Sequence, residues 1–208
     1  MVINKVRIIG VGGIGSWLAG ILTRKYEISI YDTDTIEESN LKRSLLPNLI
    51  GFKKADALVV LLKNMYSNYI GVNRVRVKPN DFDYDEGEII VDATDSDDFW
   101  GVDNVRLIKV KAINGSEFLI TNMKIEKSWE LADENILQSN NNTYKVSCYL
   151  PILGVITLRI LEEFEEQGAF YFRVYINMRS LTITYEKLAD VKEEHLTKSE
   201  EAQHDMEE

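Results

Sequence analysis

The chain has 208 residues, of which 45% are hydrophobic and 28% charged, and its formal net charge is −10. These proportions describe a globular domain long enough to bury a core, and the acidic balance argues against general nucleic-acid binding, because phosphate backbones are held by Lys and Arg. No apolar run approaches the roughly 20 residues a membrane-spanning helix needs, and a single cysteine, Cys148, excludes an internal disulfide and a cysteine-based zinc cage.

The N-terminal MVINKVRIIG enters a strand, Lys5–Ile9, almost at once, which leaves no room for a signal peptide and implies a cytoplasmic location. The turn Gly10-Val-Gly-Gly-Ile-Gly15 follows, and Ile14, Leu18, Ile21 and Leu22 then recur at helical spacing. Ile28–Tyr31 reads as a second strand ending at Asp32. Ala57, Leu58, Leu61, Leu62 and Met65 predict a helix from Lys54 to Tyr66. Val75–Val77 reads as a third strand and Glu88–Asp92 as a fourth. Asp97–Lys109 is compatible with a helix before the stretch Val110–Asn114. Strands alternating with helices predict a mostly parallel sheet covered on both faces.

The second half changes character. Phe118–Glu126 alternates apolar and polar residues, as a half-exposed strand does. Residues 127–145 are polar and read as a mobile loop. Pro151–Glu166 is an apolar helix with Pro in its first turn, and Phe170–Ile176 and Leu181–Tyr185 read as antiparallel strands joined around Asn177–Ser180. With no internal repeat or Pro/Gly-rich linker, residues 1–189 read as one domain, and 190–208 as a disordered acidic tail.

Gly10-x-Gly12-x-x-Gly15 between a strand and a helix is a nucleotide-binding fingerprint in its required context. The first Gly allows a tight turn, the second a close backbone approach to phosphate, and the third close packing of helix on strand. Free N–H groups at the helix start favour an anion. Asp32, at the end of the second strand, sits where a ribose hydroxyl is usually held. The fold class that follows is a Rossmann-like, doubly wound α/β domain with a mostly parallel sheet and antiparallel C-terminal strands. The motif by itself does not separate NAD from FAD, S-adenosylmethionine or ATP.

The chain beyond Asp32 narrows the choice. Arg43 can brace two phosphate oxygens, Lys54 can deliver a point charge from a helix start, and Asn40 can donate a neutral hydrogen bond. Asp95 lies just past the end of a strand, where open α/β sheets bind ligands, and a carboxylate facing a triphosphate implies magnesium.

Together these blocks resemble the ThiF/MoeB-like adenylyltransferases of the ubiquitin-activating enzyme superfamily. The chain reads Gly10-Val-Gly-Gly-Ile-Gly-Ser16, then Asp32-Thr-Asp-Thr-Ile-Glu-Glu-Ser-Asn-Leu-Lys-Arg43, then Gly51-Phe-Lys-Lys54 and Asp92-Ala-Thr-Asp95, in the family's order and spacing. Pro151-Ile-Leu-Gly154 is similar to a late family helix. The resemblance implies that ATP and Mg²⁺ bind and that the C-terminal carboxylate of a ubiquitin-like or sulfur-carrier protein attacks the α-phosphorus, giving an acyl-adenylate and pyrophosphate. Gly10, Gly12, Gly13 and Gly15 would form the phosphate loop and Asp32 would hold the ribose. Asn40, Arg43 and Lys54 would stabilise the phosphates, and Asp95 would bind Mg²⁺. A homodimer, or a heterodimer with another activating chain, is implied as well.

The chain departs from the family at several points. The zinc-binding cysteine pairs are absent, so no zinc is expected. The N-terminal helix whose Arg reaches a partner's ATP is missing, leaving a partner, Arg7 or another residue to supply that charge. Ser96 follows Asp95 where the family has Asn, and Trp100 stands where Arg is common. Cys148 reads as a buried structural thiol rather than a nucleophile, and His195 and His204 as inert tail residues. Alternative readings are a half-active subunit that needs a partner chain, adenylation of a small molecule or tRNA nucleoside, and an NAD-dependent oxidoreductase.

Overall fold

One eight-stranded sheet, ordered β3-β2-β1-β4-β5-β6-β7-β8, organises the chain. The computed structural model describes residues 1–66, 70–84, 86–114, 116–125 and 149–188. The expected loop at 127–145, Cys148, both histidines and the tail from 190 lie outside the described residues. β1 (Lys5–Ile9), β2 (Glu27–Tyr31), β3 (Ile70–Asn73), β4 (Glu88–Asp92) and β5 (Leu107–Asn114) are parallel neighbours. β6 (Glu117–Thr121), β7 (Tyr171–Asn177) and β8 (Thr182–Leu188) continue the sheet antiparallel.

The strand order reverses between β1 and β4. The chain builds outward from β1 to β3, returns across the sheet to β4 beside β1, and then builds the other way. Such a switch point leaves a crevice at the carboxyl ends of the strands.

Helices α1 (Gly13–Leu22), α3 (Lys54–Met65) and α4 (Leu150–Gln167) cover one face, where Leu18, Leu22, Leu58, Leu62, Leu161 and Phe164 pack on Val6, Ile8, Val91, Val110 and Phe172. α1 and α4 meet closely, and a Cβ on Gly154 would lie 2.6 Å from Ile21 Cδ1. Pro151 sits in the first turn of α4, and Gly168, at φ +82°, ends it. α2 is the single turn Glu38–Leu41.

The opposite face is covered differently from the sequence reading. No α-helix packs there among the described residues. Instead Val77, Phe82 and Phe99, from the β3–β4 and β4–β5 connections, pack on Ile9, Ile90 and Leu107. Val75–Val77 is not a strand: β3 is the earlier segment Ile70–Asn73, which pairs with β2. Asp97–Lys109 is not a helix either. Ser96 Oγ accepts from Asp98 N at 3.0 Å and Asn104 Oδ1 from Arg106 N at 2.9 Å, local bonds that divert the backbone into turns before β5 begins at Leu107.

β6 is shorter than the expected 118–126, and Phe118–Thr121 is buried rather than half-exposed. It is an interior strand, and it ends where Asn122 turns to bond the backbone of Phe170 and Phe172. Among the described residues no helix is long and apolar enough to cross a membrane.

Candidate functional site

The carboxyl ends of β1, β2 and β4 converge on a cavity of about 380 Å³, within the range of small-molecule sites. Backbone bonds hold the ends together: Gly10 N donates to Tyr31 O at 2.8 Å and Ala93 N to Ile9 O at 2.9 Å. Gly10, Gly12, Gly13, Asp32, Asn40, Arg43, Lys54 and Asp95 all line this space. Of the glycines, Asp32, Asn40, Arg43, Lys54 and Asp95 assigned to a nucleotide from the sequence, Gly15 is the one that does not.

The glycines divide the work. Gly10, at φ +77°, carries its backbone against Thr94, whose Cγ2 would be 3.0 Å from any Cβ added there. At Gly15 a Cβ would overlap the carbonyl oxygen of Gly10, so this residue serves loop packing rather than contact with a ligand. At Gly12 an added Cβ meets nothing within 4 Å, which leaves its backbone open to the cavity. Gly12 is the N-cap of α1 and has no side chain to satisfy the first amides, so they are free to bind an anion.

Asp32 does more than the sequence indicated. Its Oδ2 accepts from Val11 N at 2.8 Å and its Oδ1 from Asp34 N at 2.7 Å, so the carboxylate fixes the glycine loop to the end of β2. Each oxygen keeps lone-pair capacity for a further donor.

Arg43 and Asn40 are placed by α2. Asn40 is buried, and its Oδ1 accepts from Glu37 N at 2.9 Å, closing the first turn. Arg43 O accepts from Trp17 Nε1 at 3.1 Å, tying the loop to α1. The Arg43 side chain lies over Gly13, with its Cδ 3.3 Å from the position a Cβ would take. Arg43 Nε is buried without a hydrogen-bond partner, and no carboxylate pairs with this guanidinium among the described residues. Ser16 completes the joint, accepting from Leu45 N at 2.9 Å and donating to Gly13 O at 3.2 Å.

Lys54, at the start of α3, donates to Asp34 Oδ2 at 3.0 Å. Neighbouring Lys53 reaches away to Thr33 O at 2.6 Å. Arg7 faces elsewhere. It pairs with Glu88, bonds Tyr31 Oη at 3.4 Å and lies over the Phe82 ring, so it is not the extra cation of the site.

Asp95 follows the tightly folded end of β4. Asp92 Oδ1 accepts from Thr94 N at 3.0 Å and Thr94 Oγ1 at 2.6 Å. Among the described residues no three acidic, His or Cys groups cluster as a metal cage. Asp95 lines the cavity and could serve as a single carboxylate ligand to a divalent cation.

Four contributions escaped sequence reading. Val75, Arg76 and Val77 form one wall, Leu150 at the start of α4 and Phe118 on β6 line the cavity as well, and so does Lys111 on β5. The lysine had a sequence signal, two cations alternating inside an apolar strand. The others had none, because they reach the site only through the sheet order.

In overall structure the chain is similar to E. coli MccB with MccA-N7isoASN, at 18% identity and a TM-score of 0.65, over 91% of this chain and 66% of that one. It is similar to E. coli MccB with ATP at 19% identity and a TM-score of 0.63, over 91% and 65%. It is also similar to the Microcin C7 biosynthetic enzyme MccB in complex with N-formylated MccA, at 19% identity and 0.63, over 91% and 66%. The chain thus spans just under two thirds of the length of these proteins, and at these identities the likeness establishes the fold. The sequence matches no curated protein. Residues 3–126 match the ThiF family, a span that contains the glycine loop, Asp32, Asn40, Arg43, Lys54 and Asp95. The chain belongs to the ThiF family.

Proposed function

We propose that this chain uses ATP to adenylate the C-terminal carboxylate of a peptide or small protein, with a ubiquitin-like or sulfur-carrier protein as the acceptor class. The observation that carries the reading is Arg43, a half-buried side chain whose Nε is buried without a partner, set over Gly13 at the start of α1. Leaving a buried N–H donor without an acceptor is costly unless a ligand oxygen completes it. Its place beside a glycine loop and Lys54 makes a polyphosphate the fitting anion. An NAD-dependent reaction would leave this guanidinium and Lys54 without a task. MccB structures that contain ATP and MccA support a nucleotide and a peptide as the two substrates.

The residues divide as follows. Asp32 accepts from the ribose while it holds the loop. The α1 amides, Asn40, Arg43 and Lys54 hold the phosphates in line and take up the charge that moves toward the leaving pyrophosphate. An acceptor carboxylate oxygen forms the new bond to the α-phosphorus, and the α–β bridging oxygen departs with the electron pair of the broken bond. Asp95 would hold Mg²⁺, which when bound neutralises phosphate charge. Leu150, Phe118 and Ala112 line the cavity with apolar surface and limit the access of water to the acyl-phosphate anhydride.

Pyrophosphate–ATP exchange with candidate acceptor peptides tests the reading. Exchange by the wild-type chain, lost in Arg43→Ala and Asp95→Ala, is the expected result. Exchange that survives both substitutions overturns the site.

A further inference from the structure

Lys111 is almost completely buried, and its ammonium is turned toward the protein rather than the surface. Nζ lies 2.6 Å from Asp92 Oδ2, 2.5 Å from Thr94 O and 3.3 Å from Ser96 O. All three acceptors belong to one segment of five residues, and the two carbonyls flank Asp95 on either side. The β4–β5 pairing ends at Asp92 opposite Lys109. Lys111 is the next residue on the same face, so its side chain reaches across the end of β4, where the β4–β5 ladder has stopped.

We propose that Lys111 is a positioning residue. It acts as an internal cation around which residues 92–96 fold, and it sets the aim of the Asp95 carboxylate into the cavity. The inference rests on the adenylation reading, in which Asp95 meets the metal carried by the nucleotide.

The physical argument is one of preorganisation. A segment of irregular chain beyond a strand end samples many conformations, and a carboxylate on it would lose that freedom each time a metal bound. Here the freedom is removed in advance. Asp92 Oδ1 takes the Thr94 N–H and hydroxyl, while Oδ2 takes the ammonium. The ammonium in turn holds the peptide units before and after Asp95. The ammonium donates to the Thr94 and Ser96 carbonyls and its charge is balanced by the Asp92 carboxylate in an ion pair, so it is held within the segment. Lys109, on the same face, has different partners, Val102 O and Met123 O, so the two lysines are not interchangeable.

Lys111→Met alone would strand a buried carboxylate at Asp92 and confuse folding with positioning. The informative variant is therefore Asp92→Asn with Lys111→Met, which removes both charges together. Binding of a fluorescent ATP analogue is measured against Mg²⁺ concentration and again in EDTA. The expected result is a Mg²⁺ requirement raised roughly 10–100-fold, as when supporting groups around a metal ligand are lost, with metal-free binding unchanged. Lys111→Gln, whose amide keeps two donors, shows a smaller shift in the same direction and answers the question if the double variant does not fold. A folded variant with a wild-type Mg²⁺ dependence overturns the inference and leaves the adenylation reading intact. A wild-type chain that binds no ATP at any Mg²⁺ concentration overturns both.

Discussion

Lys54 Nζ lies 3.0 Å from Asp34 Oδ2, and the two partners are unequally buried: the lysine side chain is 11% exposed and the aspartate 66%. The cation is therefore shaped by the site while its counter-ion stands in solvent. An ion pair with one such exposed partner stabilises by about 0–1 kcal/mol, so a triphosphate with several charges displaces Asp34 readily. Asp34→Asn should change ATP affinity by less than about fivefold, whereas Lys54→Met should weaken it by tenfold or more, in line with the greater strength of charge-assisted bonds. Titration calorimetry with ATP and Mg²⁺ on both variants measures the asymmetry.

Gly12 and Gly15 separate binding from folding. An alanine methyl at Gly15 would collide with the Gly10 carbonyl, a backbone atom that cannot move without the loop. Gly15→Ala should destabilise the domain by about 1–3 kcal/mol or prevent folding, as overpacking does. Gly12→Ala meets no protein atom and should stay folded, while its methyl occupies the space a phosphate needs. Urea unfolding combined with nucleotide binding distinguishes the two.

In the proposed reading Asp32 joins both roles in one side chain. Asp32→Ala removes the acceptor for Val11 N and Asp34 N and should cost about 1–3 kcal/mol of stability, chiefly from the partly buried Val11 N left unpaired, because the exposed Asp34 N can turn to water. Asp32→Asn retains one acceptor oxygen and should recover most of that stability but not the ribose contact, which a charged acceptor makes more strongly. A thermal melt and an ATP titration on each variant check the separation.

Lys109 predicts a pH dependence that does not involve the cavity. Burial lowers its pKa from 10.5 to about 8. Between those values the unfolded chain binds a proton that the folded chain does not, so stability rises with pH in that window. The gain should be about 1–2 kcal/mol from roughly pH 7.5 to 9.5, at 1.36 kcal/mol per unit, and should vanish in Lys109→Met. Tyr26, pushed up to about 12 chiefly by burial, acts in the opposite sense above its unfolded value of 10. There the folded chain holds the extra proton and stability falls again. Urea midpoints across the alkaline range test both limbs.

The local parts of the molecule were legible without coordinates. The strand–glycine turn–helix unit, Asp32 at a strand end and the Pro151 helix start each depend on residues within a few positions of one another. Backbone geometry near glycine, proline and an alternating strand is set there. The errors have a common cause. Val75–Val77 has β-branched residues at strand spacing, but Arg74 and Arg76 turn outward to Asp56 and Asp98, and the place beside β2 is taken by Ile70–Asn73. Across 97–109 short side-chain bonds outcompete helical propensity, which is a weak preference.

The amino-acid sequence by itself determined which groups could meet a nucleotide: a glycine loop, an acid at the end of β2, and Asn40, Arg43, Lys54 and Asp95 in order. The tertiary structure decided what holds those groups in place. Arg43 crosses Gly13, Leu150 closes over the same loop, and Lys111 holds the peptide units on both sides of Asp95. Such contacts join residues from about fifteen to well over a hundred positions apart. They depend on which strands lie side by side and where the sheet reverses direction, and no local spacing encodes that.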